Sequence, residues 1–118
     1  MPITGNYLFI VAMDVTAEKE ALFNEVYDTE HVPLLLKVPG VVSVTRAKLV
    51  PLSVMMAGKK NDIVAEGEPV YTAIYEIDGP DVLLSDAWAD AVEQGRWPEK
   101  VRPFTSNRRH VLRKVMAP

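Results

Sequence analysis

The chain contains no cysteine, which excludes disulfides, thiolate metal sites and a cysteine nucleophile. It contains only two histidines, His31 and His110. No Glu-x-x-His or His-x-x-x-His pair joins them, so no metal site is expected. There is no glycine-rich phosphate loop and no dinucleotide fingerprint. No stretch reaches transmembrane length and no basic leader precedes an apolar run, so a cytoplasmic location without membrane association is expected. At 118 residues, 48% hydrophobic and 25% charged, the composition is that of one soluble globular domain, residues 1–118.

Charge is unevenly distributed. Residues 1–95 carry 6 Lys/Arg and 15 Asp/Glu, whereas residues 96–118 carry 7 and 1. A basic tail suggests nucleic acid, but Arg108, Arg109, Arg113 and Lys114 alternate with Val111, Leu112 and Val115 as in a strand. The acidic remainder repels phosphates. The expectation is therefore no nucleic-acid partner.

Hydrophobic patterning places strands at about 6–15, 41–50, 69–77 and 106–116, with helices over about 17–31 and from 81 to Gly95. Thr16 is the expected N-cap of the first helix. Pro33 disfavours helical angles at Val32, so the regular helix should stop near there, with Leu34, Leu35 and Leu36 forming a short apolar connection or a turn of helix. The second helix is expected to pack through Leu84, Ala87, Trp88, Ala91 and Val92. Breaker-rich residues 51–68 read as a mobile loop, a pocket edge or a dimer arm, outside the core.

The order β-α-β-β-α-β predicts a ferredoxin-like α+β fold, with a four-stranded antiparallel sheet and both helices on one face. The first strand is apolar on both sides: Tyr7, Phe9, Val11 and Met13 on one, Leu8, Ile10 and Ala12 on the other. Two helices cover only one face. A second copy covering the other through a two-fold interface is the expected solution.

The most informative stretch is Tyr27-Asp28-Thr29-Glu30-His31-Val32-Pro33. Asp28 and His31 stand at i and i+3, and Tyr27 and His31 at i and i+4, so the three can share a helix face. An imidazole with a pKa near about 6.5 moves protons at neutral pH when an acid orients it. The alternative is a histidine interacting with the helix dipole at a C-terminus. A pocket between helices and sheet would collect His31, Tyr27 and Trp88. Tyr7 or Leu8, and Tyr71 or Thr72, compete for its wall, since the strand register is open. Tyr71 or Tyr75 would donate to a developing oxyanion. Arg46 and Arg109 are candidates for a ligand carboxylate, and His110 faces inward only if Arg109 faces outward.

Tyr27-Asp28-x-x-His31-Val32-Pro33, followed by Val38-Pro39-Gly40-Val41 and by Asp86-Ala87-Trp88, resembles the EthD-type branch of the dimeric α+β barrel superfamily. The resemblance spans nearly the whole chain. It implies a homodimer, a pocket within each subunit for a small hydrophobic ligand, and functional roles for His31 and Asp28. It also implies a choice among cofactor-free isomerase, cyclase or dehydratase chemistry, a non-catalytic binding or accessory role, and cofactor-free monooxygenation. No cofactor is expected; the constellation of the haem-degrading members is not reproduced here.

Overall fold

The computed structural model describes residues 3–116. Its elements are β1 (Tyr7–Val15), α1 (Glu20–Val26), α2 (Val32–Leu36), β2 (Val41–Lys48), β3 (Leu52–Met56), β4 (Lys59–Ile63), β5 (Tyr71–Ile77), α3 (Asp86–Ala91) and β6 (Thr105–Lys114). Four strands form an antiparallel sheet in the order β2-β5-β1-β6, and β3-β4 form a separate hairpin. This is the expected α+β arrangement, with the hairpin inserted between β2 and β5. Among the described residues no helix is long and apolar enough to cross a membrane.

Alternation sorts the sheet into two faces. On the helix-bearing face Phe9 pairs with Tyr75, Val11 with Ala73 and Met13 with Tyr71. Phe23, Val26, Leu35, Ile77 and Val101 seal this core with no exposed surface, each contributing on the order of 1.5–3 kcal/mol by burial. The other face pairs Ile10 with Ile74 and with Val111, and no element among the described residues covers it.

Three expectations about local structure change. The first helix does not stop before Pro33. It begins with a tight turn at Ala17–Lys19, and Thr16 makes no side-chain cap bond. Tyr27–His31 then form one wide π turn, in which the Val32 N–H donates to the Tyr27 carbonyl five residues back. Val32 keeps helical angles (φ −62°, ψ −48°) although it precedes proline. A wider turn just ahead of Pro33 relieves the crowding that a proline ring imposes on a regular helix.

The second helix is shorter than expected. The chain extends at Ser85 (φ −75°, ψ 153°), whose hydroxyl accepts the Trp88 N–H and caps α3. Leu84 falls on the far side of that break and is 84% exposed. Residues 51–68 are likewise not an irregular loop. Ala57 and Gly58, at φ 52° and 78°, make the two-residue turn that matches strand twist. The hairpin nevertheless stays outside the core, with Leu52, Met55 and Met56 exposed.

Gly40, the turn residue before β2, has φ +94°, and an added Cβ would lie 2.4 Å from Val82 Cγ2. Gly67 has φ +70° but nothing within 4 Å of such a Cβ. Gly40→Ala should therefore cost more than the roughly 1–3 kcal/mol of backbone strain that both positions share. Urea unfolding of the two alanine variants tests this, and equal losses would remove the Val82 contact as a constraint.

Candidate functional site

Between the helices and the sheet lies an open cavity of about 380 Å³, within the size range of small-molecule sites. Phe9, Val11 and Met13 of β1 and Tyr75 of β5 form its floor, with Trp88 of α3 at one wall. The rings interlock: Trp88 stands edge-on to Phe9 at 5.8 Å and to Tyr75 at 5.5 Å. A larger groove of about 1020 Å³ runs beside the hairpin, walled by Leu49, Val50, Leu52, Ile63 and Val64. No histidine, tyrosine or arginine lines it, so it holds no comparable acid-base set.

His31 lines the first cavity and is 5% exposed. It stacks on Trp97 at 4.5 Å and 24°, and Tyr27 meets it edge-on at 4.9 Å. Trp97 opens a second π turn, Trp97–Val101, so these two wide turns meet ring to ring. Arg96 ties them together. Its backbone N–H and Nε both donate to Glu30, at 2.8 and 2.6 Å, and a guanidinium nitrogen donates to Glu25 at 2.8 Å. These hydrogen bonds hold the Glu30 carboxyl below its ordinary pKa.

His31 Nδ1 is buried without a hydrogen-bond partner, which leaves Nε2 as the nitrogen open to the cavity. Burial, reinforced by the positive charge of Arg102, lowers the imidazole pKa to about 4. At neutral pH the ring is uncharged. The dipole-partner alternative requires an imidazolium and does not fit this burial. The premise of a pKa near the free value does not hold either, because the ring is largely buried and no carboxylate faces it.

Asp28 is the main correction. Its carboxylate is 61% exposed and pairs with Arg46 at 2.8 Å; it does not touch His31. The reason is angular: the π turn rotates the backbone between them, so i and i+3 no longer share a face. Arg46 is consumed in the same contact. It also donates to Asn24 at 2.9 Å and covers the Tyr27 ring at 4.6 Å, and so braces a wall instead of entering the cavity.

The tyrosines separate. Tyr27 and Tyr75 both line the cavity, and their hydroxyls are hydrogen-bonded at 3.0 Å. Burial raises both phenol pKa values, so both keep their protons. One O–H is spent on the pair and the other remains a donor. Tyr71 lies on the same sheet face but outside the cavity, with its hydroxyl donating to Glu20 and accepting from Asn24. On β6, His110 lines the cavity against Phe9 at 5.9 Å. Arg109 points to the opposite face and pairs with Glu68 at 3.1 Å, so it is not a cavity residue. Trp97, Arg102 and Arg108 line the cavity and were not singled out from sequence. Trp97-Pro98 puts an aromatic ring beside a proline, but nothing local in the sequence shows that it faces His31.

No protein-family model matches the chain, and no curated protein matches its sequence. Solved structures do match in fold. An EthD family protein from Bacillus halodurans C-125 superposes with a TM-score of 0.59 at 16% identity, covering 93% of this chain and 99% of that one. The haem-degrader MhuD from Mycobacterium tuberculosis, with two haems in its active site, gives 0.60 at 14% identity, covering 95% and 97%. An arginine-to-serine variant of MhuD holding two manganese protoporphyrins gives 0.64 at 13% identity, covering 95% and 96%. The chain has the fold of these three structures along nearly its whole length.

Proposed function

We propose that this protein is a cytoplasmic, cofactor-independent enzyme of proton-transfer type, carrying out isomerisation, cyclisation or dehydration of a hydrophobic aromatic or polyketide-like ligand. One observation supports this best: a neutral, buried, unpaired His31 beside a protonated tyrosine pair in an aromatic-walled cavity. His31 would take a proton from a carbon next to a carbonyl. The free O–H of the Tyr27–Tyr75 pair would donate to the enolate oxygen as charge develops there. The imidazolium so formed would return its proton at a second carbon, which leaves the enzyme unchanged. Asp28 has no part in this step. A cavity of about 380 Å³ supports a ligand of one or two fused rings.

One observation favours the non-catalytic alternative. With its pKa lowered to about 4, His31 is a weak base, and a neutral imidazole is also a plain hydrogen-bonding group for a bound ligand. Deuterium uptake at the benzylic α-carbon of 2-tetralone, a neutral bicyclic ketone, separates the two by NMR. The wild type should exchange above buffer background. His31→Ala should lose about 10²–10⁴-fold of that rate, and Asp28→Asn should keep it. Binding without exchange would establish the alternative.

The lowered His31 pKa carries a stability consequence. Tyr27, Trp97 and Arg102 face the ring, and none is acidic. The unfolded chain protonates this histidine below about 6.5 while the folded chain resists until about 4, so the unfolded state binds more protons in that window. Stability should be full above about 6.5 and fall as pH drops towards 4, by on the order of 3 kcal/mol in total. In His31→Gln this portion of the pH dependence should vanish. Urea midpoints at pH 7 and 5 check it, and identical pH slopes in both proteins would refute it.

We also propose a homodimer, formed through the sheet face that carries Leu8, Ile10, Ile74 and Val111, with the exposed β3–β4 hairpin as an arm. Supporting it are the apolar character of both β1 faces and the lack of any covering element among the described residues. Light scattering at micromolar concentration should give twice the 13.1 kDa chain mass. A monodisperse monomer would overturn the proposal.

A further inference from the structure

The phase of β6 changes partway along. Val15 pairs with Thr105 and Asp14 with Ser106, but Ala12 pairs with Arg109. Asn107 and Arg108 therefore stand together against the single residue Met13, which is a β-bulge. Asn107 supplies the left-handed geometry, with φ 51°, a region asparagine tolerates better than most residues. Its side chain fixes the bulge by donating to Asp14 Oδ2 at 3.1 Å and to the Gly67 carbonyl at 2.8 Å.

The extra residue decides which side chains the cavity receives. Strict alternation from Thr105 would turn Asn107, Arg109 and Val111 inward. With the bulge, Arg108 and His110 line the cavity instead. Arg109, turned outward, is held by Glu68. Arg46, Arg96 and Arg102 each hold a carboxylate as well. Arg108 has no ion pair or hydrogen bond among the described residues, and no Asp or Glu lines the cavity. A bulge pinned by two hydrogen bonds thus delivers an uncompensated guanidinium to the rim of an aromatic slot.

We propose that the ligand is an aromatic carboxylate, its rings laid against the cavity wall formed by Trp88, Phe9 and Tyr75 and its carboxylate received by Arg108. This rests on the reading of the cavity as the ligand site. A guanidinium presents paired N–H donors that match a carboxylate, and the apolar floor favours one flat, singly charged ligand over a polyanion.

Isothermal titration calorimetry with 1-naphthoate and its neutral counterpart 1-naphthamide tests the assignment. The wild type should bind the acid about tenfold to a hundredfold more tightly, and the preference should shrink with added salt because the guanidinium is exposed. Arg108→Gln should bring the acid to the level of the amide. Arg108→Lys, which keeps the charge and loses the fork, should fall between. Arg113→Gln removes an arginine opposite Leu8, on the other sheet face, and should leave the preference intact. The proposal is overturned if acid and amide bind alike, if neither binds, or if Arg113→Gln loses as much as Arg108→Gln. Calorimetry reads binding and not turnover. A lost anion preference therefore leaves the proton-transfer test on neutral 2-tetralone standing, and failure of that test leaves this one standing.

Discussion

The face-to-face packing of His31 on Trp97 organises the rest of the site. It joins two wide helical turns that lie 66 residues apart in the chain, Tyr27–His31 and Trp97–Val101. The first ends two residues before Pro33 and the second contains Pro98, and a wide turn accommodates a ring that a regular helix cannot. Stacking alone would not fix their relative position. The Arg96 contacts to Glu25 and Glu30 do so from outside. Gly95 leaves room for them, since a Cβ there would meet Glu30 Oε1 at 2.6 Å. The ring is thereby shut away from water on one side and left open to the cavity on the other.

That enclosure accounts for the electrostatics. A histidine with a carboxylate partner would be pushed towards its charged form; this one is pushed towards neutrality by burial and by Arg102. Two phenols are kept protonated for the same reason. The cavity interior is thus uncharged but able to exchange protons, while positive charge collects at its edge on β6. Apolar walls, neutral acid-base groups and a cationic rim form one consistent environment for a flat ligand with a charged end.

The gross architecture was legible in the sequence because it follows from periodicity. Alternation over 7–15 marks β1 as apolar on both faces, and Pro39-Gly40 marks the entry to β2. The spacing of Ala87, Trp88 and Ala91 marks the packed side of α3. Such signals are local, so neighbouring residues carry them. The hairpin escaped this reading because its turn uses Ala57 where asparagine or aspartate would have signalled the left-handed geometry. Leu84 escaped it because the Ser85 cap interrupts a stripe that continues in the letters.

The site was legible only in part, and the division has a physical reason. The sequence by itself determined that Tyr27 and His31 lie one helical turn apart, that Trp88 shares the packed side of α3, and that His110 and Arg109 oppose each other on β6. Tertiary structure decided which of the last two faces inward, because one extra residue at Asn107 shifts the phase of a whole strand. It decided that Asp28 pairs with Arg46 and not with His31, because a wide turn changes the angle between helix positions and a distant strand offers a cation. It also decided that Trp97 and Arg108 join His31 and Tyr75 around one cavity. Periodicity specifies the face a residue occupies; packing and bulges specify what that face meets.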